Sequence, residues 1–526
     1  MQLSAVFVIA LAAVAVTLVY TRIRSALHHA ARAREMGCKP AVWGVYHEPT
    51  GLLGVFHGIQ ASLKHRFPDF IEEQMDALQR RVGRRVGTVI MRTPFFKNTI
   101  FTLDPKNIQA MLATQFKDFQ LGVNRTGNFR PLLGNGIFAA NGEQWQHSRA
   151  LLRPQFVRSQ VSDLDLEEAH VKALMTVLDR HLGSDGWTDN LDLQELFFRL
   201  TLDSATQFLF GESVNSQLGH DGQAPAAKGD VSFAQAFDKS QFTLAFGSRL
   251  GSHYWLVHTC KFKKHVARVH SFVNHFVDIA MKQGRDEKGQ GGQKGDYVFL
   301  HALARETQDP EELRSQLLNI LLAGRDTTAG TLSWFFYTMA DPQYQSIFQR
   351  LRGVIVDEFG TYSDPKDISF ERMKGCQYLQ WCINECLRLY PAVSVNVRTA
   401  TNDTSLPTGG GPDGQDPIYV EKGQDVVYSV HVMHRRKDLW GPDAHVFRPE
   451  RWRDRRPGWD YLPFNGGPRI CIGQQFALTE IAYVVIRLMQ RIDAIDGSRM
   501  GPVKHRLTLT NSPADGVNVR LRFAAS

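Results

Sequence analysis

The strongest constraint on the fold of this chain is a long, largely apolar helix predicted over Pro310 to Ala340. Asp309 stands where a side chain caps the first turn, and Pro310 suits the first helical position. Asp341 and Pro342 end the pattern. At about 1.5 Å per residue this helix is about 47 Å long, which is enough to cross the whole body of a protein of this size.

Length and composition predict a globular protein with a substantial core. The chain has 526 residues, enough for one large domain or for two or three ordinary ones. Its 43% hydrophobic and 22% charged residues are unlike those of disordered, collagen-like or polytopic membrane proteins. Helical periodicity prevails, as over Phe70 to Arg81 and Leu164 to Leu182. Short β-type runs occur at Thr88 to Met91, Thr99 to Leu103 and Asp425 to Val430. The predicted fold class is therefore mainly α with a small β region.

The amino-terminal segment is predicted to be one transmembrane helix. Leu3 to Tyr20 is an apolar run that only Ser4 and Thr17 interrupt, and basic residues follow it, beginning with Arg22 and Arg24. A cleaved signal peptide has the reverse order, with its positive charges before the apolar run. Because positive flanks stay in the cytosol, the bulk of the chain should face the cytosol.

The predicted domain organisation is a membrane anchor at 1–21, a basic linker rich in Pro and Gly at 22–50, and one folded body at 51–526. Three polar segments of the body are predicted to be surface loops rather than domain linkers: Ser216 to Asp230, Gly284 to Asp296 and Thr408 to Pro417.

Charge and cysteine content exclude further classes of protein. A formal net charge of +8 could suit nucleic acid, anionic lipid or an acidic partner. However, the basic surplus follows the apolar run, and the sequence shows no module that reads nucleic-acid bases. Six cysteines without a CxxC pair exclude a secreted disulfide framework and indicate a reducing compartment.

One cysteine, Cys471, lies in a loop suited to metal binding. No other cysteine or histidine is near it, which excludes a zinc site or half of a disulfide. An inert buried thiol is the usual state of a free cysteine. Yet flanking glycines free backbone N–H groups to point at the sulfur, Arg469 adds a cation and Phe464 can cover the loop. These features lower a thiol pKa and shape a soft metal ligand.

The Cys471 loop resembles the haem-binding pattern of the cytochrome P-450 superfamily, Phe-x-x-Gly-x-Arg-x-Cys-x-Gly, at every defined position. The resemblance implies the P-450 fold, an α-rich triangular prism, behind the amino-terminal helix. It also implies haem b, iron protoporphyrin IX, with an axial thiolate from Cys471. Phe464, Arg469 and Gly473 then become cofactor-binding residues.

A second motif matches the superfamily at Glu385 and Arg388. On a helix these two side chains share one face and can pair, and alone they would be an ordinary solvated pair. With the segment Phe447 to Arg451 downstream, the resemblance implies that Arg451 joins them in a buried triad. The implied role is folding and haem retention rather than chemistry.

Other cations are implied to bind the haem propionates. Trp145 and Arg149 match the Trp-x-x-x-Arg helix of the superfamily, where both side chains project together. An amphipathic helix with a boundary tryptophan is the alternative for this pair. Arg398 stands where the superfamily places another propionate partner, and Arg469 is a further cation. His147 is interpreted as peripheral, because the superfamily leaves the distal side of the haem to water and dioxygen.

The middle of the long helix, Ala323 to Thr328, matches the oxygen-activation motif of the superfamily. The resemblance implies that Thr327 hydrogen-bonds dioxygen and that Asp326 relays protons from solvent. Superfamily members that catalyse isomerisation or dehydration often lack this pair. Its presence favours monooxygenation.

Longer stretches resemble the fungal family that hydroxylates n-alkanes and fatty acids at the chain end, whose members are anchored in the endoplasmic reticulum. These stretches are Gly136 to Phe138, Trp145 to Phe156, Leu191 to Asp203 and Leu321 to Ala329. The resemblance implies a single-pass protein of that membrane with a cytosolic catalytic domain and an apolar small-molecule substrate. Covalent attachment of haem is not predicted, because Ala323 stands where animal ω-hydroxylases carry a glutamate.

The same resemblance places the substrate pocket in five segments: Phe116 to Arg130, Phe237 to Leu250, Leu318 to Ala323, Ala392 to Asn396 and Asn511 to Val517. The aromatic residues Phe237, Phe242 and Phe246 would suit an apolar chain, but ordinary core packing explains them equally well.

Electrons are expected from NADPH through a separate NADPH-cytochrome P-450 reductase, with cytochrome b5 as a second candidate donor, since the chain has no room for a fused flavin domain. A basic cluster before the Cys471 loop could face an acidic flavin domain, or could be a solvated loop: Arg448, Arg451, Arg453, Arg455 and Arg456. Two alternatives to the lipid hydroxylase stay open. One is a tailoring oxidase acting on a polyketide-like or terpenoid-like scaffold, and the other is a haem-binding sensor without turnover, which Asp326 and Thr327 disfavour.

Overall fold

The computed structural model of the chain describes residues 2–48, 50–93, 97–157, 164–218, 232–286 and 298–524. Most of the predicted surface loops Ser216 to Asp230 and Gly284 to Asp296 lies outside these residues. The chain divides into two compact units. The unit that we call the sheet unit comprises 1–57, 72–120 and 397–428, and the helical unit comprises 58–71, 121–396 and 429–526.

The helices of the described residues, in chain order, are α1 Gln2–Glu35, α2 Leu52–Leu63, α3 Phe67–Val82, α4 Pro105–Gln109, α5 Val123–Leu133, α6 Gly142–Leu152, α7 Asp165–Asp179, α8 Leu193–Phe210, α9 Phe233–Leu250, α10 Cys260–Asp286, α11 Phe299–Glu306, α12 Pro310–Ala340, α13 Gln345–Phe359, α14 Phe370–Gly375, α15 Gln377–Leu389, α16 Val430–Met433, α17 Lys437–Trp440 and α18 Gln474–Arg491.

The strands, in chain order, are β1 Val42–Trp43, β2 Thr88–Thr93, β3 Lys97–Thr102, β4 Phe119–Gln120, β5 Leu191–Asp192, β6 Val395–Ala400, β7 Thr404–Gly410, β8 Asp416–Val420, β9 Asp425–Ser429, β10 Ile492–Asp496, β11 His505–Leu507, β12 Asn511–Pro513 and β13 Asn518–Phe523.

The sheet unit is built on a six-stranded mixed sheet in the order β1-β2-β3-β9-β6-β4. β2 pairs antiparallel with β3, and β3 pairs parallel with the distant β9. The β-type runs predicted around Thr88, Thr99 and Asp425 are β2, β3 and β9. The predicted loop Thr408 to Pro417 is instead mostly the end of the hairpin β7–β8. Three of its glycines, including Gly409 and Gly411, adopt the positive φ that turns this hairpin.

The helical unit is organised around α12, whose bounds match the predicted helix. The Asp309 side chain caps it by accepting a hydrogen bond from the backbone N–H of Glu311 at 2.9 Å. From Ser315 to Ala340 every residue is buried except three in the middle, which are described with the site below. Phe336 of this helix packs on Phe197 of α8, with ring centroids 5.4 Å apart. A largely apolar helix is thus buried along most of its length, as its sequence requires.

The amino-terminal helix α1 runs without a break from Gln2 to Glu35, across the boundary predicted at residue 21 between anchor and linker. Its apolar side chains Phe7, Ile9, Val16 and Tyr20 are all more than 60% exposed. The side chains of Leu3 to Val6, with others in the predicted span, lie outside the described residues. Among the described residues, no helix combines the length and the apolar character needed to cross a membrane.

Candidate active site

Cys471 lies in a tight loop just before α18, and part of its surface is accessible although protein atoms surround it closely. Its backbone N–H donates a hydrogen bond to the carbonyl oxygen of Phe464 at 3.0 Å, and Asn465 and Gly467 turn the loop with positive φ values of 64° and 67°. A backbone hydrogen bond from Gly473 to the sulfur, and the nearby Arg149 cation, lower the pKa of the thiol. Burial of its surroundings outweighs both and leaves that pKa above its ordinary value of 9.0. The loop N–H and the nearby cation thus act in the direction expected from the sequence, but in the protein alone burial outweighs them.

Trp145 and Arg149 on α6 lie beside the Cys471 loop together with Arg469. Arg149 Nη1 donates to the carbonyl oxygen of Ile470 at 3.0 Å. The guanidinium carbons of Arg469 and Arg149 lie 4.4 Å and 5.9 Å from the centroid of the Trp145 ring. The structure therefore brings these three side chains and Cys471 into one cluster, as the sequence motifs imply.

Arg398, the other predicted propionate partner, belongs to the sheet unit. It lies on β6 and is only 4% exposed. Its Nη1 donates to the carbonyl oxygen of Val397 at 2.9 Å, and its guanidinium carbon lies 6.0 Å from the Tyr428 ring centroid.

The middle of α12 places an acid and a hydroxyl on different faces of one helical turn. Ala323, Gly324 and Thr327 are the three residues between Ser315 and Ala340 that keep partial exposure. The Thr327 hydroxyl donates to the carbonyl oxygen of Ala323 at 2.6 Å. The neighbouring Asp326 is turned inward and is only 4% exposed. The half-exposed surface along this buried helix thus consists of two small residues and one hydroxyl.

The carboxyl group of Asp326 has a pKa suited to a proton carrier. Burial raises the pKa of its carboxyl group from 3.8 to about 6, and the attraction of Arg325 opposes that rise. Nη1 of Arg325 lies 3.4 Å from Asp326 Oδ1 and 2.5 Å from Oδ1 of Asp238 on α9. Because Asp238 is half exposed, the chain of charges leads from solvent to the buried acid.

The sequence does not predict two buried acids of the helical unit, Glu167 on α7 and Glu480 on α18. Both are at most 3% exposed, and the Ser204 hydroxyl donates to Glu167 Oε1 at 3.2 Å. Burial and the neighbouring Glu167 raise the pKa of Glu480, while the hydroxyl groups of Ser204 and Thr328 lower it. The only sequence signal for Glu480 is an acid inside an otherwise apolar helical run.

The structure brings Glu385, Arg388 and Arg451 together. Arg388 holds both carboxylate oxygens of Glu385 at 2.8 Å, and Arg451 Nε donates to Glu385 Oε1 at 3.2 Å. The side chains of Glu385 and Arg388 are fully buried. The indole N–H of Trp452 donates a fourth side-chain hydrogen bond to Glu385, at 3.0 Å, and Arg388 also donates to the carbonyl oxygens of His434 and Ala444. This network ties α15 to the segment before the Cys471 loop.

The predicted basic cluster is divided by the structure. Arg451 points inward, and Arg455 pairs with Asp460 and lies 3.8 Å from the Trp440 ring centroid. Arg453 and Arg456 are exposed. An electrostatic face formed by this segment therefore depends on the exposed arginines rather than on Arg451 and Arg455.

The three aromatic residues proposed for the pocket differ in how far their side chains are exposed. Phe237 is fully buried and lies under the Arg325 guanidinium, with 5.9 Å between carbon and ring centroid. Phe242 is 60% exposed, and Phe246 is half-buried. Ordinary core packing is therefore the better interpretation of Phe237.

The residues around Cys471 fit a haem group bound through sulfur. The Cys471 sulfur is accessible, receives an N–H hydrogen bond from Gly473, and has two guanidinium groups and an indole N–H donor close by. A dianionic edge of a macrocycle needs such donors, and a soft metal ion needs such a sulfur. The small, half-exposed residues of α12 add a surface without bulky side chains.

Comparisons with known proteins agree with this fit. The sequence model described as Cytochrome P450 matches residues 49–515. The chain is 49% identical to cytochrome P450 monooxygenase g430 of Fusarium sp, over 94% of this chain and 86% of the relative. It is 44% identical to cytochrome P450 52A9 of Candida maltosa, over 90% of each chain. It is 46% identical to cytochrome P450 52A1 of Candida tropicalis, over 84% of this chain and 80% of the relative.

The fold is shared with solved structures. The crystal structure of the cytochrome P450DA haem domain matches with a TM-score of 0.73 at 19% identity and covers 93% of this chain and 99% of that one. A second cytochrome P450 crystal structure matches with a TM-score of 0.67 at 20% identity over 86% of this chain and 94% of that one. The predicted P-450 fold, mainly α with a small β region, and the resemblance to the superfamily are thereby confirmed, whereas the transmembrane helix before it stays a prediction.

Proposed function

The chain belongs to the cytochrome P450 family of haem-thiolate monooxygenases, and on this premise we propose that it hydroxylates the end carbon of fatty acids or n-alkanes. The observation that carries the proposal is its 44% identity to cytochrome P450 52A9 over 90% of each chain. The motif resemblance to fungal n-alkane and fatty-acid hydroxylases supports it. Haem, when bound, supplies dioxygen activation and oxygen insertion, and the electrons come from NADPH through a reductase.

Cys471 and several hydrogen-bond donors would hold the haem. The Cys471 sulfur would ligate the haem iron, and Phe464 and Gly473 shape the loop that carries it. Trp145, Arg149 and Arg469 bind the propionates, which is supported by their common cluster beside the loop. Arg398 is a further propionate donor, an assignment that rests on the sequence motif.

Asp326 carries protons to the oxygen-binding side of the site, and Thr327 offers them through its hydroxyl. Two properties of Asp326 support this role. It is buried with a pKa of about 6, so it can both hold and release a proton near neutral pH. It is linked through Arg325 to the half-exposed Asp238, which gives a polar route towards solvent.

The test is product analysis with the full-length protein in lipid, NADPH and a fungal reductase. Fatty acids and alkanes of graded length are supplied under oxygen-isotope-labelled dioxygen. We expect one labelled oxygen atom on the terminal carbon, and none with Cys471→Ala. Label confined to internal carbons would contradict the proposal. Turnover of a polyketide-like or terpenoid-like scaffold with no turnover of lipids would instead support the tailoring oxidase, and NADPH use without product on every substrate would support the sensor.

We further propose that α1 anchors the chain once in the endoplasmic reticulum membrane, with the catalytic body in the cytosol. The exposed apolar residues of α1 and the basic residues that follow them support this orientation. Carbonate extraction of microsomes tests it. The full chain should stay in the membrane pellet, and a variant lacking residues 2–21 should shift towards the soluble fraction. Release of the full chain by carbonate would contradict an integral anchor.

A further inference from the structure

Three side chains from distant parts of the sequence meet in the helical unit, and none of them belongs to the Cys471 cluster. Asp69 lies in the first turn of α3, His431 lies on α16 and His505 opens β11. One carboxylate oxygen and one nitrogen of each imidazole all lie within 4.8 Å of one another. The two imidazole rings are only 1% and 3% exposed, whereas Asp69 is half-buried. No step of the proposed hydroxylation uses these residues.

The orientation of His505 leaves one nitrogen for a ligand. Its Nδ1 lies 3.0 Å from Oδ1 of Asn511, and the tautomer that donates from Nδ1 to this oxygen keeps the lone pair on Nε2. The backbone N–H of His505 donates to the carbonyl oxygen of His65 at 2.7 Å, which fixes the strand beside the segment that leads into α3. Such an outer hydrogen bond is what usually sets the tautomer of a metal-binding histidine.

His431 is buried, and its imidazole ring forms no hydrogen bond with the described residues. Neither Nδ1 nor Nε2 of its ring has a hydrogen-bond partner. Its ring centroid lies 5.0 Å from that of His505, with the planes at 88°. Burying an imidazole without partners costs free energy, so such a group in a well-packed protein requires an explanation. A metal ion between the two rings and the Asp69 carboxylate would provide one.

Two cations also face this cluster. Arg435 donates from Nη1 to the backbone oxygen of His431 at 3.3 Å, and Arg66 Nε lies 3.7 Å from Asp69 Oδ2. Burial, with a smaller contribution from Arg435, lowers the pKa of both imidazoles.

We propose that Asp69, His431 and His505 bind one divalent metal ion of the zinc class, with water as the fourth ligand. Two imidazole nitrogens and one carboxylate oxygen form a ligand set that zinc accepts with a fourth position open. The ion ties α3, α16 and β11 together. The proposal concerns a site separate from the haem and does not depend on which substrate is hydroxylated.

A second group of potential ligands, His28, His29 and Asp403 in the sheet unit, serves as a comparison. It includes an exposed residue, and His29 is already engaged by the Tyr419 hydroxyl at 2.9 Å and faces Glu421 at 3.8 Å. Its members therefore have competing partners, and the buried group is the better site.

Zinc titration of the haem-loaded, full-length protein tests the proposal, using chain without a polyhistidine tag after dialysis against a chelator. Calorimetry and metal analysis should give one tight zinc ion per haem. Asp69→Asn should weaken binding more than tenfold, because loss of even an outer-shell partner costs about 10- to 100-fold. Asp76→Asn on the same helix and His29→Asn should leave the affinity unchanged. The reduced carbon-monoxide spectrum verifies that each variant is folded.

Zinc-edge X-ray absorption supplies a second measurement that does not need a variant. Two imidazoles and oxygen ligands at about 2.0–2.2 Å are expected. Absence of a tight stoichiometric site in the wild type would overturn the proposal. So would zinc affinity that Asp69→Asn leaves intact and His29→Asn abolishes.

Discussion

Asp326 should reduce the stability of the folded protein although it is proposed to carry protons for the reaction, and Asp326→Asn tests this. The fold raises the pKa of this carboxyl group from 3.8 to about 6, so the fold favours the neutral form. At about 1.4 kcal/mol per pH unit, this rise amounts to a cost of about 3 kcal/mol once the group is ionised. Asparagine resembles the neutral acid in shape and cannot ionise.

The pH dependence follows from the direction of the pKa change. Below pH 3.8 the acid is protonated in both the folded and the unfolded chain, and the substitution should have little effect on stability. As the pH rises from 3.8 to about 6, only the unfolded chain releases the proton, so the wild type loses stability relative to the variant. Above about pH 6 the difference is constant, with Asp326→Asn more stable by up to about 3 kcal/mol.

Thermal unfolding of the haem-loaded proteins across this pH range measures the effect. The Tm difference between Asp326→Asn and wild type should grow with pH and then level off, while product formed per NADPH falls in the variant. Asp238→Asn is the matched control, because it removes a half-exposed carboxylate that contacts the same Arg325. A variant that is less stable than wild type at neutral pH, with a difference independent of pH, would refute the reasoning.

Three further predictions concern other parts of the site. Thr327→Ala should keep haem and NADPH oxidation but divert electrons to peroxide, whereas Thr331→Ala, one helical turn further on, should still form product in proportion to the NADPH oxidised. A Thr327→Ala variant that forms as much product per NADPH as wild type would show another proton route. Glu385→Gln should destabilise the fold by about 3–5 kcal/mol, because it leaves the fully buried Arg388 guanidinium without its charge partner and leaves Arg451 paired with Asp443 alone; a denaturation midpoint equal to that of wild type would contradict a structural triad. Joint charge reversal of the exposed Arg453 and Arg456 should slow reduction by the reductase and weaken its salt dependence in stopped-flow traces; unchanged kinetics would remove this surface from the docking site.

The sequence predicts best what is decided locally. The bounds of α12 follow from its cap, its proline and its apolar run, and all three act within a few residues of each helix end. The Cys471 loop is recognisable because glycine positions and a single cysteine fix its backbone and its chemistry together. The sequence also predicts the strands β2 and β3, from short β-type runs.

Contacts between distant segments could not be predicted from a single sequence. The parallel pairing of β3 with β9 joins residues that are far apart in the chain. The burial of Arg325 against Asp238 depends on how α9 packs on α12. The meeting of Asp69, His431 and His505 requires three elements with no common motif. The net pKa of Cys471 in the protein alone depends on burial, which the sequence does not reveal and which outweighs the local hydrogen bond from Gly473.

A spectral titration of the solubilised, haem-loaded enzyme with fatty acids and n-alkanes of graded length tests the central claim most directly. It follows the change of the ferric haem from low spin to high spin as substrate displaces the distal water. The account predicts a saturable change that is largest at one chain length. No change with any lipid, in protein whose reduced carbon-monoxide spectrum proves an intact thiolate ligand, would contradict lipid hydroxylation.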